Sequence, residues 1–411
     1  MKILIVTSNY PRWMGDTTTP FVHNFARELV KQNIQVRVLA PHYEGAQTKE
    51  SMDGVEVRRF RYWLPLRGQT VCYQGGALGN LKKSPLNKLK LPILVLCELL
   101  ALLKEVISYK PDWVNSHWLI PQGFVASIVC KLTGTKHIAT VHGGDVFALN
   151  SNILLMFKRF VINTADKVTV NSSVTEAKVK KIAPMTSTPI VRIPTGILPA
   201  PKCSIENVQL LRQSLQQTAD EKLILFVGRL SEEKGVGDAI KALKIVRDKE
   251  LHARLIIVGE GHDKATFIAL TQSLKLNEYV NFIGWVDSKE IYPYFRACDV
   301  FVGPSKQAES GWIEAQGLTF VEAMLAGCPV IGSNSGGIPD AVQNGKTGWL
   351  VEPNNPVALQ NAISLVLTSS QSELEQITHY AQKFAEDNYI ISNVVNTFIS
   401  NTFQRTNEGA K

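Results

Sequence analysis

Cysteine is scarce in this chain of 411 residues, and what there is lies scattered. The six cysteines, Cys72, Cys97, Cys130, Cys203, Cys298 and Cys328, make no CxxC pair and no Cys/His cluster at metal-ligand spacing. That excludes a disulfide-stapled or zinc-built module and predicts reduced thiols in a cytoplasmic protein, with no metal. Long hydrophobic runs are also missing. Leu91 to Ile107 is strongly apolar, yet it carries Glu98, Lys104 and Glu105 and falls short of the ~20 apolar residues that a spanning helix needs. The opening residues, Met1 to Ser8, hold an apolar run too short for a secretion signal and no small-residue cleavage site, so they read as a buried first strand. No GxGxxG follows that strand, and Gly259-Glu-Gly261 is too short a glycine pattern to replace it, which ranks a dinucleotide oxidoreductase last. Interleaved aromatic and basic residues are absent as well, so no nucleic-acid partner is expected.

What is present suits a large globular protein. With 45% hydrophobic and 19% charged residues the chain can bury a sizeable core, and its length predicts two domains. The net charge of +8 is uneven: residues 1–200 carry 25 Lys/Arg against 12 Asp/Glu, and residues 201–411 carry 19 against 24. The basic first half suits an anionic partner, whether a phosphorylated acceptor or an anionic membrane face. A basic surface with no partner fits the same numbers. Lys82, Lys83, Lys88 and Lys90 precede the apolar stretch that starts at Leu91. That arrangement allows contact with anionic lipid on the inner face of the plasma membrane; the alternative is a helix packed on the first sheet beside a basic loop.

Short β-branched runs alternate with longer helical patterns in both halves, the pattern of βα units stacked into parallel sheets. Strands are expected at Lys2 to Ser8, Gln35 to Ala40, Asp112 to Ser116, Lys136 to Val141 and Lys167 to Asn171, with a helix from Phe21 to Gln32. The proline-rich Ile193 to Pro201 predicts a domain boundary near residue 200. Strands resume at Leu223 to Val227, Arg254 to Val258, Val280 to Phe282, Val300 to Val302 and Pro329 to Gly332.

The chemistry gathers in a few turns. Glu314 and Glu322 stand eight positions apart around Gly317. A helix starting after Gly317 would present the backbone N–H groups of Gly317, Leu318 and Thr319 to a diphosphate. Glu322 would then accept hydrogen bonds from a ribose cis-diol, and Glu314 from hydroxyls of a sugar beyond the diphosphate. Taken alone, the same two glutamates fit a solvated loop and a helix surface. Gly228-Arg229 to Lys234-Gly235 follows a strand and offers two cations where open α/β sheets bind ligands, so Arg229 and Lys234 can clamp a diphosphate and offset charge on a leaving group. Two surface cations facing Glu232 and Glu233 are the rival reading. Thr140-Val-His142-Gly-Gly-Asp145 ends another strand, making His142 a candidate contact to a transferred sugar and Asp145 a companion. His117 reads as structural. In the loop after the first strand, Gly15 faces the acceptor, and Thr19 with Pro20 signals a helix start.

Together, Phe226 to Gly235, Ile257 to Gly261, Val280 to Trp285, Asp299 to Ser305, Glu314 to Glu322 and Ser335 to Pro339 resemble, in order and spacing, the group 1 (family 4) retaining glycosyltransferases. The first half resembles them through Thr140 to Asp145 and Ile193 to Gly196. The chain departs from the family pattern at Ala315 and Gln316, where glycine and phenylalanine are common, and in having only Gly15 among the threonines after the first strand.

The resemblance implies a GT-B architecture, an α/β fold of two Rossmann-like domains with parallel sheets facing across a cleft. It implies an acceptor-binding domain over 1–200, a nucleotide-sugar-binding domain over 201–385, and a closing helix over 386–411 that returns to the first. By the same resemblance, transfer of a hexose or related sugar is metal-independent and retains the anomeric configuration. Arg229 and Lys234 hold the diphosphate, Glu314 orients the donor sugar, Glu322 holds the ribose, and backbone near Gly284 and Trp285 the base. His142 touches the sugar. The donor would be a nucleotide diphosphate sugar, UDP favoured over GDP, and the acceptor a saccharide or polyprenyl-diphosphate-linked lipid of cell-surface polysaccharide or glycolipid synthesis. A nucleotide-sugar epimerase of the same architecture is the alternative, since Glu314 and His142 do not exclude it; the Arg229/Lys234 spacing favours transfer.

Overall fold

The computed structural model describes residues 1–16, 20–73, 76–287, 289–309 and 311–403. They form two compact units, one of residues 1–196 with the segment from 391 onward, the other of residues 197–390. The chain thus passes between units at Gly196/Ile197 and again at Tyr389-Ile390/Ile391, a few residues from the expected 200 and 386. The two passages are tied to each other, since Ile197 N donates to Tyr389 O at 2.9 Å.

The first unit holds strands β1 (Lys2–Val6), β2 (Gln35–Pro41), β3 (Lys49–Met52), β4 (Val55–Phe60), β5 (Trp113–His117), β6 (Lys136–Val141), β7 (Lys167–Val170) and β8 (Ile190–Arg192). They pair in the order β3-β4-β2-β1-β5-β6-β7-β8, all parallel except β3 with β4. The second unit holds β9 (Lys222–Val227), β10 (Ala253–Val258), β11 (Val280–Gly284), β12 (Val300–Gly303), β13 (Val330–Ser333) and β14 (Trp349–Val351). Their order, β11-β10-β9-β12-β13-β14, is fully parallel, the doubly wound arrangement in which strand order reverses between β9 and β12. Strands such as β1, with Ile3, Leu4, Ile5 and Val6 wholly buried, are apolar throughout because helices cover both faces.

In the first unit, helix Pro20–Lys31 and the returning helix Ile391–Phe403 cover one face, with Phe25 against Phe398 at 4.9 Å between ring centroids. Helices Pro85–Tyr109 and Phe124–Thr133 cover the other. Gly196 explains the tight return, because a Cβ there would collide with the backbone of Ile391. In the second unit, helices Val236–Asp248, Lys264–Ser273 and Pro356–Thr368 pack on one face, and Leu318–Leu325 and Gln371–Tyr389 on the other. The helix expected to start at Phe21 starts at Pro20; Thr19, the expected cap, lies outside the described residues.

The lysines before Leu91 do not form a loop. Lys82 and Lys83 end helix Gly76–Lys83, and Lys88 and Lys90 ride on helix Pro85–Tyr109, which opens with Pro85 in its first turn, where proline removes no helix bond. Glu98 on that helix is fully buried. One carboxyl oxygen accepts from Gln122 Nε2 at 3.3 Å, and the other has no partner among the described residues.

Burial pushes the Glu98 carboxyl up to about 8 from an ordinary 4.5. The folded state therefore holds a proton that the unfolded chain releases. Stability from this group is fully present below the unfolded value and lost as pH rises through about 8. Glu98→Gln keeps a neutral side chain of similar shape. Denaturant titrations should show the variant more stable than wild type by on the order of a few kcal/mol near pH 9, the gap closing toward pH 5. Parallel pH profiles for the two proteins would show that Glu98 carries no such proton.

Candidate functional site

In the second unit the reversal between β9 and β12 opens a crevice at the strands' carboxyl ends, and the loops after those strands supply its side chains. After β9 come Gly228, the exposed Arg229 and Lys234, which ends a short 3-10 turn, Glu232–Lys234. Gly235 follows with φ +76°, and a side chain there would strike the carbonyl of Pro304 in the loop after β12. The two loops can approach this closely only because that position is glycine.

The approach brings Lys234 Nζ against Glu314 Oε2, and the ammonium also lies 5.0 Å from the centroid of the Trp312 ring. Glu314 is fixed from behind: Gly337 N donates to its carbonyl at 2.8 Å, and Gly336 sits where a Cβ would collide with that oxygen. Its other carboxylate oxygen accepts from Gly317 N at 3.3 Å. The N–H of Gly317 is therefore taken, which corrects the expectation of three open donors. Helix Leu318–Leu325 starts where the sequence predicts, and among the described residues nothing accepts from the N–H groups of Leu318 and Thr319.

Glu322 stands one turn into this helix, half-buried and paired with no cation among the described residues. Burial pushes its carboxyl up to about 7. The rival reading of the cations is met in part: Lys306 Nζ, not Lys234, reaches Glu232 at 3.4 Å, while against burial the Glu233 carboxyl is lowered by its own backbone N–H and the Ser231 hydroxyl first and by the charge of Arg229 after them. Gly284, with φ +87°, closes β11 and leads to Trp285, which is 69% exposed. An indole left in water at a strand's carboxyl end is a surface on which a flat ring can stack.

In the first unit, His142 follows β6 and Gly143 turns the chain with φ +93°. His142 is held on all sides: its ring stacks on His117 at 5.0 Å and 18°, and the rings of Phe21 and Trp118 lie 5.1 Å away. Its carbonyl accepts from Asn171 Nδ2 at 3.3 Å. Trp118 reaches it through a backbone at φ +73°, ψ +141°, a conformation costly for any residue but glycine.

Asp145 corrects its expected role. It is 5% exposed, one oxygen accepts from Leu119 N at 2.9 Å and the other from His142 N at 3.2 Å, so it clips two loops together. Gly15 is exposed at the turn closed by the Arg12–Asp16 ion pair, where its φ of +84° requires glycine.

The sequence reading set His117 aside as structural, yet its Nδ1 lies 2.9 Å from His142 Nε2. Only one of these nitrogens carries the shared proton. His117 Nε2 is buried without a partner among the described residues. A buried N–H with no acceptor is rarer and costlier than an unused acceptor, so the shared proton sits on His117 Nδ1 and His142 Nε2 accepts it. His142 is then protonated at Nδ1.

Residues 207–384 match the family model described as Glycosyl transferases group 1, and residues 19–200 match the one described as Glycosyltransferase Family 4. The chain is a group 1, family 4 glycosyltransferase. Among curated relatives of this glycosyltransferase, alpha-monoglucosyldiacylglycerol synthase of Acholeplasma laidlawii is 29% identical over 61% of this chain and 66% of that protein. The putative teichuronic acid biosynthesis glycosyltransferase TuaC of Bacillus subtilis is 26% identical over 89% of this chain and 88% of its own length. Among solved structures, sucrose-phosphate synthase from Thermosynechococcus elongatus aligns with a TM-score of 0.75 at 20% identity over 98% of this chain and 99% of that one. Anabaena HepE in complex with UDP aligns at 0.72, with 19% identity and the same coverage. These likenesses show the fold, two parallel-sheet α/β domains of the GT-B class.

Burial lowers the His142 imidazole to about 4 and His117 well below its ordinary value, so both rings are neutral near pH 7. Imidazole-selective ¹⁵N NMR of the glycosyltransferase should show His142 neutral and protonated at Nδ1 between about pH 5 and pH 8. A proton on His142 Nε2 would reverse the assigned bond.

Proposed function

We propose that this glycosyltransferase moves a hexose or related sugar from a nucleotide diphosphate sugar, UDP ahead of GDP, to a saccharide or lipid-linked acceptor, with retention and without a metal ion. The observation that carries the reading is the Lys234–Glu314 contact at the β9/β12 switch point, beside the open N–H groups of Leu318 and Thr319. A dianionic diphosphate and a carboxylate repel each other unless a cation stands between them. Lys234 does so, leaving Glu314 free to accept hydrogen bonds from sugar hydroxyls while Arg229 and the helix N–H groups take the phosphates. Charge that grows on the departing diphosphate then meets cations already in place.

Glu322 holds the ribose, the strand end at Gly284 with Trp285 holds the base, and His142 gives its Nδ1–H to an oxygen of the sugar. The acceptor lies toward the Gly15 loop. Solved neighbours that hold UDP or UDP-glucose support the donor class, and relatives named for a glycolipid and a teichuronic acid support the acceptor class. The same reading places the acceptor at an anionic membrane surface.

The deciding assay is donor hydrolysis and transfer by the purified protein in EDTA, across UDP- and GDP-sugars with membrane lipid extract as acceptor. Transfer that persists in EDTA and falls about 100-fold or more in Glu322→Ala is expected. Epimerised donor without transfer would overturn the reading in favour of an epimerase. The raised Glu322 carboxyl gives an independent check. A diol's two O–H groups bond more strongly to the ionised carboxylate than to the neutral acid, so nucleotide affinity should rise as pH passes upward through about 7, and Glu322→Gln should flatten that rise. A pH-independent wild-type affinity between about pH 6 and pH 8 would remove Glu322 from the ribose.

A further inference from the structure

Strand order in the first sheet reverses between β1 and β5, so the carboxyl ends of these two strands frame that unit's crevice. Three of the four residues from Asn115 to Trp118, where β5 ends, break a local rule there. Asn115 is wholly buried, and its Oδ1 has no partner among the described residues while its Nδ2 donates to Thr140 Oγ1 at 2.7 Å. His117 is 2% exposed, and its Nε2 is likewise unpartnered. Trp118 holds φ at +73°. Each feature costs stability, and such costs collect where a chain is shaped for a task other than folding.

Among the described residues the His117 side chain has one hydrogen-bond partner, His142. An apolar side chain would fill the same space, between the rings of Phe25 and His142, and would leave no nitrogen unpaired. A histidine at this position is therefore explained by the N–H that it gives to its neighbour. That N–H decides where the proton of His142 sits. Both rings are neutral near pH 7, so His142 has a single N–H, on one nitrogen or the other. Left to water, a neutral histidine favours the proton on Nε2; a donor aimed at Nε2 moves it to Nδ1. Asp145 and Asn171 hold the backbone on either side of the ring, and His117 holds the ring itself.

We propose that His117 is a positioning residue for the transfer: by donating Nδ1–H to His142 Nε2 it keeps the proton of His142 on Nδ1, the form in which His142 donates to an oxygen of the sugar. The proposal rests on the reading of His142 as the contact to that sugar. With the proton on Nε2, His142 would present a lone pair in place of the donor. The hydrogen bond would then be lost to any oxygen without a proton of its own and reversed for a hydroxyl. His117 thus acts on the sugar only through its neighbour, as an outer partner fixes the tautomer of a histidine that ligates a metal.

The test pairs two substitutions whose packing and hydrogen bonding rank in opposite order. Leucine at 117 suits the apolar surroundings and has no N–H. Asparagine is smaller and polar, yet its Nδ2 stands where the imidazole Nδ1 stands. In His117→Leu, imidazole-selective ¹⁵N NMR, with the resonance assigned through His142→Ala, should show His142 protonated at Nε2. Hydrolysis of whichever UDP- or GDP-sugar the wild type turns over fastest should fall about tenfold or more in kcat, with affinity for the nucleotide unchanged. His117→Asn should return the proton to Nδ1 and recover most of the turnover, and circular dichroism of both variants should match the wild type. A purely structural His117 predicts the reverse ranking, leucine tolerated better than asparagine, and that ranking would overturn the proposal. So would a His142 that keeps its Nδ1 proton in His117→Leu. Wild-type turnover by His142→Ala would instead overturn the reading of His142 on which the proposal rests, and the NMR result, which needs no donor, tells the two failures apart.

Discussion

Backbone crowding at the carboxyl ends of the second sheet is the constraint on which the rest of the candidate site depends. Three loops, after β9, β12 and β13, reach the same small volume, and the β12 loop touches each of the other two where one partner has no side chain. Gly235 meets Pro304, and Gly336 and Gly337 meet Glu314 and Ala315. With the backbones so close, the lysine of the first loop and the glutamate of the second meet without either having to search for the other. Side-chain entropy lost in fixing a lysine is considerable in an open surface pair; here the Trp312 ring and the packed loops restrict it before the ion pair forms. Ala315 and Gln316, where the family often has glycine and phenylalanine, do not disturb this arrangement, since Ala315 contributes its carbonyl and Gln316 is buried.

The two glutamates of that site differ in environment rather than in kind. Glu314 faces a cation and accepts from a backbone N–H. Glu322 has burial and no cation among the described residues, and its proton is held to about pH 7. A carboxylate that must accept hydrogen bonds beside a diphosphate gains from the first environment. A carboxyl that waits for a diol is better served by the second, because the ligand's own hydrogen bonds supply the stabilisation that the empty site withholds. In the first unit the same economy of partners holds His142, whose ring nitrogen, backbone N–H and carbonyl are each committed to His117, Asp145 and Asn171.

Much of this was legible in the sequence because buried parallel strands must be apolar on both faces and must be followed by turns. Lys136 to Val141 is the same in sequence pattern and structure, and the helix after Gly317 starts where the glycine predicts. Strands β3 and β4 were missed although Asp53-Gly54, both with positive φ, is a two-residue hairpin signal. Their charged residues, Lys49, Glu50, Glu56 and Arg58, hid an edge hairpin behind the pattern of a polar loop. The short strands β8 and β14, three residues each, carry too little pattern to stand out. Asp145 was misread for a different reason. A carboxylate beside glycines and a histidine suggests chemistry, and only the positions of Leu119 N and His142 N show it to be a clip. The bond from His117 to His142 was not legible, since a contact across neighbouring strands has no trace in sequence spacing.

The helix Pro85–Tyr109 shows how composition misleads where direction matters. Counted along the chain, Glu98, Lys104 and Glu105 argue against a membrane-spanning segment. Placed on the helix, both glutamates turn toward the protein, Glu98 buried and held to its proton and Glu105 paired with Arg37, while Lys104 is exposed. What remains outside is apolar or cationic except Ser108. Ordinary surface helices put their polar residues in water and their apolar ones against the sheet. This one buries Lys90 and Glu98 beside Leu94, Leu102 and Val106 and still leaves six large apolar side chains in water, an exposure that costs free energy.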